Sequence, residues 1–158
     1  MSNKAIIIAA NTELRDYLGN VEKHKEWADL HNGKVFWNLI PPGRRHIPWK
    51  NIDIKRGYFY ISGSNEIQYK FFIERAGTIS EFKKQNLWNN VKMFIPDFRV
   101  EQWTDSGYDY FYALLIRNIE KIDPIQLDNF QVINTGGYAQ RVMNYIIIAN
   151  RQTKEVAA

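Results

Sequence analysis

The residues with most chemistry to offer in this chain are aromatic rings set beside polar turns and a basic stretch. Trp37 sits in an apolar run, Trp49 follows a cluster of cations, Tyr58 and Tyr60 are two apart, and Trp88 and Trp103 lie on either side of Pro96. Aromatic residues make up 15% of the 158 residues, so the core alone does not obviously claim them all. Flat rings can sandwich a flat heterocycle, and stacking a nucleobase on an aromatic side chain is worth about 1–3 kcal/mol. Stacking does not tell bases apart, so polar groups must reach the base edge. Asn11, Ser62 and Asn65, all near turns, are candidates for that task. An aromatic cage also accepts a methyl group. From Lys34 to Arg56 the chain carries Lys34, Arg44, Arg45, Lys50, Lys55 and Arg56 against Asp53 alone, a stretch suited to phosphate. Each feature has a structural alternative: a Trp in an apolar strand anchors a core, and a basic stretch can be a solvated loop.

The elements that would position these groups can be read from pattern. Lys4 to Ala10 (KAIIIAA) is a buried strand, short, apolar and rich in β-branched residues. Asn11 or Thr12 is expected to cap a helix through about Leu18, and a second helical stretch covers about Val21 to Leu30. His31-Asn32-Gly33 ends it, since Asn and Gly tolerate the left-handed conformation. Lys34 to Ile40 (KVFWNLI) reads as a strand stopped by Pro41-Pro42-Gly43. Tyr58 to Ser62 and Gln68 to Ala76 form the best hairpin, turning at Gly63-Ser64-Asn65. Ile79 to Trp88 is helical or irregular, Val91 to Ile95 a candidate strand, Tyr108 to Ile119 a long strand, and Tyr145 to Ala149 a closing strand. Strands in runs with segregated helices argue α+β. Five or six short twisted strands would curl into a small barrel-like sheet.

Several chemistries are excluded or weakly supported. The chain has no cysteine, which removes disulfides, thiolate metal sites and cysteine nucleophiles. It carries neither a dinucleotide-binding glycine fingerprint nor a phosphate-binding loop of the nucleotide hydrolases. His24, His31 and His46 are scattered and read as surface residues rather than metal ligands. Glu81-x-Lys83 and Asp53-x-Lys55 fit a short acidic-x-Lys pattern that a metal-dependent nuclease would need, but the pattern is common by chance. No apolar run approaches the roughly 20 residues that span a bilayer, and Ala5 to Ala10 is too short for a signal segment. A cytoplasmic, non-enzymatic protein with no cofactor is expected.

With these segments in order, the chain resembles the PUA-like superfamily, in its EVE, YTH and ASCH-like branches. KAIIIAANTEL is similar to the family's opening strand and cap, and KVFWNLI to the strand that supplies a cage aromatic. GYFYISGSNEIQYKFFIERAG resembles the family hairpin, YDYFYALLIRNIEKIDPIQLDNF its later strand and Pro-Leu segment, and GGYAQRV its terminal basic segment. The likeness is one of pattern and order over about 145 residues. It implies one nucleic-acid-reading domain over residues 1–150 with a tail at 151–158. By this resemblance Trp37 is the first cage wall, Trp88 the loop aromatic that closes it, and Trp103 a third wall. Asn11 stands near the base edge, Ser62 at the rim, and Arg141 on the nucleic-acid backbone. Tyr60 joins the base-binding set from its strand position, and Arg44, Arg45 and Lys50 join the backbone set from charge.

The partner implied is DNA, with RNA as the alternative, carrying a modified base such as methylated adenine. Related domains sit at the N-terminus of McrBC-type restriction enzymes, so a motor or nuclease domain in a longer protein or a partner chain is implied too. Two other readings stay open: a metal-dependent nuclease or nucleotide hydrolase using Glu81 or Asp53, and a protein-interaction domain on the same scaffold.

Overall fold

Residues 4–12, 17–39, 54–132 and 145–152 of the chain are described by the computed structural model. Strand β1 (Lys4–Ala10) is the run KAIIIAA. It lies between β3 (Arg56–Ile61), which runs parallel to it, and β7 (Tyr145–Gln152), which runs antiparallel. A strand with neighbours on both sides and both faces covered reads as a continuous apolar run, as this one does. Ile6, Ile8 and Ala10 join one apolar cluster, and Ala5 and Ile7 another.

Helix α1 (Val21–Asp29) follows. Its cap is Asn20 rather than Asn11 or Thr12, with Asn20 Oδ1 accepting from Lys23 N at 3.0 Å. Residues 13–16 of the expected first helix lie outside the described residues, and Tyr17–Gly19 is a 3-10 turn. Val21, His24 and Ala28 are buried at the i, i+3, i+7 spacing of one helical face. The helix stops where expected, with Asn32 and Gly33 at φ of 59° and 77°.

The remaining strands complete a single sheet in the order β2-β5-β4-β3-β1-β7-β6. These are β2 (Lys34–Leu39), β4 (Glu66–Thr78), β5 (Tyr112–Gln126) and β6 (Phe130–Val132). The class is α+β with one curled sheet and segregated helices, as expected, although the strands number seven rather than five or six. The hairpin forms as read, with β3 and β4 antiparallel. The curl comes largely from β4 and β5, whose pairing shifts register at three places. Each extra residue in a ladder bends and twists the strand that holds it. Strand β5 starts at Tyr112 rather than Tyr108 and runs on past the expected end at Ile119, through Pro124. Strand β2 pairs with β5 only as far as Arg117, so beyond that point β5 has no strand partner on the β2 side among the described residues, and a missing N–H is tolerated.

The other face of the sheet is covered by α2 (Ile79–Phe82), α3 (Gln85–Val91) and α4 (Val100–Thr104). The expected strand over Val91 to Ile95 is instead the end of α3 and a 3-10 turn at Lys92–Phe94. Val91, Phe94 and Ile95 are all buried, and their i, i+3, i+4 spacing is that of a helix face. Strand β7 continues to Gln152, two residues past the boundary expected for the domain.

Gly57 on β3 shows how tightly this scaffold closes. A Cβ there would meet Phe71 Cζ at 2.2 Å and Ile6 Cγ2 at 3.0 Å. The Phe71 ring cannot swing away, because it is buried and packs against Phe59 at 4.6 Å. Gly57→Ala is therefore expected to destabilise the fold by about 1–3 kcal/mol, the usual range for overpacking, measured as a lowered urea midpoint at unchanged slope.

Candidate nucleic-acid interface

Side chains of β2 alternate between the two faces of the sheet, and this divides the predicted aromatic set. Trp37, with Val35 and Leu39, packs under α1 and is 3% exposed. Its ring lies 4.2 Å from His24 and 4.5 Å from Phe59. Phe36 points the opposite way and meets Trp103, which is 1% exposed, at 4.5 Å. Trp88 is half-buried and stacked on Trp103 at 5.9 Å. Trp37 and Trp103 therefore belong to separate cores, and the three-walled cage expected of Trp37, Trp88 and Trp103 is not built. Tyr60 is likewise buried, in a third cluster with Ala5, Ile7 and Ile67 on the face away from Trp37.

The polar candidates stand at strand ends and turns. Strands β1 and β3 run parallel and end side by side, with Ser62 N donating to Ala10 O at 2.9 Å. Asn11 bridges to Asn20, and Val21 N donates to Asn11 O at 3.0 Å, so Asn11 seats the start of α1. Asn11 and Ser62 thus stand together at one end of the sheet. Asn65 takes a left-handed conformation in the hairpin turn, φ 58°. Arg44, Arg45, Lys50, Arg141 and Trp49 lie outside the described residues.

Behind Trp37 lies a buried polar chain that sequence reasoning missed. His24 is fully buried rather than on the surface. Its Nδ1 donates to Asn20 O at 2.7 Å, which leaves Nε2 to accept from Arg99 Nε at 3.4 Å. Arg99, 4% exposed, also donates to Leu18 O and, at 3.0 Å, to Gln102 Oε1. Gln102 Oε1 in turn accepts from Asn38 Nδ2 at 2.7 Å, and Asn38 Oδ1 accepts from Trp103 Nε1 at 3.2 Å. The guanidinium also lies 5.7 Å from the Trp37 ring centre. The chain ties α1, β2, α4 and the 3-10 turns at Tyr17–Gly19 and Asp97–Arg99 into one block. Buried polar groups satisfied in this way rigidify what they join.

The block forms the back of an open cleft of about 520 Å³ between α1 and the turn at Asp97–Arg99. Trp27 and Phe98 give it aromatic surface, Leu30 an aliphatic rim, and Lys23, Glu26 and Asp97 its charges. Phe98 meets His24 edge-on at 5.0 Å, so Trp37 stands two rings behind the opening. Trp27 is held by a bond from Nε1 to Met93 O at 3.1 Å and by stacking on His31 at 4.4 Å. A second hollow of about 330 Å³ is lined by Phe94, Leu87 and the Lys34–Glu74 ion pair, and carries no Trp. Only the spacing of Trp27 and Leu30 on the helix could have signalled the cleft. Phe98 comes from a turn 71 residues away in sequence and had no such signal.

Asp53 and His46 lie outside the described residues. Among the described residues no three His, Asp or Glu side chains gather as a metal site. Glu81 closes a capping box, receiving Thr78 N and Thr78 Oγ1 while Thr78 Oγ1 caps Glu81 N. No helix among the described residues is long and apolar enough to cross a membrane. Comparison with known proteins finds no matching family model and no matching curated protein. Among solved structures the chain is similar to ASCH from Zymomonas mobilis, with 19% identity over 80% of this chain and 76% of that chain, TM-score 0.42. Two point mutants of the same protein are similar at 18% identity, 80% and 76% coverage and TM-score 0.43, and at 15%, 78%, 76% and 0.41.

Burial, with the Arg99 charge adding to it, holds the His24 imidazole well below the usual value of 6.5, against the opposing pull of its bond to Asn20. The unfolded chain protonates His24 below about pH 6.5 and the folded chain does not follow until lower pH, so this contribution is complete above 6.5 and is lost as pH falls. Stability should decline by up to about 1.4 kcal/mol per pH unit on acidification below 6.5 from this one group. Urea midpoints at pH 7.5 and 5.5 should differ less in His24→Gln than in the unaltered protein.

Proposed function

We propose that this domain binds nucleic acid and receives a flipped base in the cleft between α1 and the Asp97–Arg99 turn. The observation that supports this reading is the pairing of two aromatic side chains, Trp27 and Phe98, in the lining of an open cleft of about 520 Å³. Trp37, the wall suggested by the family resemblance, then acts from behind: it supports His24 and Arg99, which hold the turn that carries Phe98. Asn11 and Ser62 lie at the start of the same helix and suit contacts to the strand beside the extruded base. Arg44, Arg45, Lys50 and Arg141 supply the backbone contacts that set affinity and its salt dependence. A methylated base is the favoured target, since methylation adds apolar surface that aromatic walls accept. The EVE and YTH likeness carries the same implication, and with it a place as the cytoplasmic specificity domain of a modification-dependent restriction system, working with a motor or nuclease elsewhere.

The test is binding of labelled single- and double-stranded DNA and RNA, with and without methylated adenine or cytosine, at two salt concentrations. Trp27→Ala and Phe98→Ala should each weaken binding by about 1–3 kcal/mol, the worth of one stacked base. Arg141→Ala and Arg44→Ala should weaken all sequences alike and lower the salt slope by about one each. Trp37→Ala should chiefly cost stability, about 3–5 kcal/mol, as loss of a buried large aromatic does. Negligible signal from every oligonucleotide at both salts defeats the proposal.

A further inference from the structure

The face of the sheet opposite α1 carries two apolar clusters, one where Phe36, Ala113 and Leu115 pack with α2, α3 and α4, and one where Ile7, Tyr60 and Ile67 pack with Leu127 and Phe130. Between them a row of directly paired residues crosses four strands: Arg56 on β3, Phe72 on β4, Arg117 on β5 and Lys34 on β2. Directly paired residues share a face. Gly57 and Phe71, the neighbours of Arg56 and Phe72, face the α1 core, so the row faces the other way. Phe72 is half-buried and belongs to none of the three apolar clusters. Arg56 and Arg117 reach its ring from the strands on either side, with guanidinium carbons 5.7 and 5.0 Å from the ring centre.

The charges on this face do not cancel. Lys34 is matched by Glu74 at 2.9 Å and Lys70 by Glu120 at 3.3 Å. Arg75, Lys84 and Glu81 line the neighbouring hollow, two cations to one carboxylate. Among the described residues no carboxylate lies within ion-pair distance of Arg56 or Arg117. A cation–π contact uses none of the N–H donors, so both guanidinium forks keep the geometry that fits phosphate. The shared ring also restricts two long side chains before a ligand arrives, which lowers the cost of ordering them. We propose that Arg56 and Arg117, ordered by Phe72, grip the phosphate backbone of a single nucleic-acid strand on this open face, a contact surface separate from the cleft beside α1. Their strands lie two spacings apart, about 10 Å, and both side chains converge on one ring, so they face phosphates of one strand. One half-buried ring is too little apolar surface to anchor a membrane. Arg56 also closes the basic stretch that holds Arg44, Arg45 and Lys50.

Binding of a labelled, unmodified single-stranded oligothymidylate is measured over a salt series. The variants are Arg56→Gln with Arg117→Gln, Phe72→Leu, and a control of equal charge change, Lys92→Gln with Lys121→Gln, two exposed cations outside the row. Thermal transitions report that each variant folds. The arginine variant should bind about tenfold more weakly at low salt, with the salt slope reduced by about 1.4, the share of two phosphates on a single strand. The lysine control should lose less than about twofold. Phe72→Leu keeps every charge and should lose about threefold, through looser arginines; unchanged affinity there overturns the part given to the ring. Trp27→Ala should leave the effect of the arginine substitutions intact. An arginine variant that binds like the unaltered protein overturns this proposal and leaves the cleft reading standing, as does an equal loss in the lysine control. A loss seen only on phosphatidylserine vesicles overturns the choice of partner. Absence of binding to every oligonucleotide overturns both readings.

Discussion

Neighbouring side chains on a strand point to opposite faces of the sheet, and β2 is where that constraint decides most in this protein. Val35, Trp37 and Leu39 pack toward α1, while Phe36 packs toward Trp103. The adjacent residues Phe36 and Trp37 therefore anchor two different cores. No rearrangement of loops can bring Trp37 and Trp103 to one cavity while β2 stays paired with β5. A shift of one residue would exchange the two sets and place Asn38 under α1. The pairing of β2 with β5 from Lys34 to Leu39 is what excludes a cage across the sheet.

The two cores meet through polar atoms rather than apolar ones. Asn38 lies on the Trp103 face and Arg99 on the Trp37 side, and Gln102 accepts a bond from each. A buried guanidinium is expensive unless its donors are met. Here it is met by a main-chain carbonyl, an imidazole nitrogen and an amide oxygen, with Trp37 beneath it. The imidazole can accept only while neutral. Desolvation and the guanidinium thus support one another: the burial that makes Arg99 costly also keeps His24 in the state Arg99 requires. The outcome is a turn at Asp97–Arg99 whose position follows from four elements, which is how a short 3-10 turn can present Phe98 at a defined place.

Much of the scaffold could be read from local pattern because local pattern caused it. KAIIIAA is buried on both faces, Asn32-Gly33 takes the left-handed turn, and the β3–β4 hairpin forms about Gly63-Ser64-Asn65. The errors have local causes as well. Val91, Phe94 and Ile95 carry a helical spacing inside a short run that also suits a strand. The site was less legible. A Trp shows its type but not which core it enters, so Trp37 on its strand and Trp103 beyond Pro96 could be assigned to one cage. His24 carried a usable signal, lying at i+3 from Val21 and i+4 before Ala28 on the apolar face of α1. Arg99 carried none, since its partners come from residues 18, 24 and 102 and are set by the tertiary fold.

Strand direction also fixes which chain segments meet at each end of the sheet. In this sheet β2 runs antiparallel to β1, because each of β2–β5, β5–β4 and β4–β3 is antiparallel and β3 is parallel to β1. Leu39, which leads into the basic segment at 40–53, therefore leaves the sheet at the end where β1 begins. Asn11, Ser62 and the start of α1 stand at the other end. The sheet therefore delivers the chain at Leu39 to the end opposite Asn11 and Ser62, and the strand directions alone decide this.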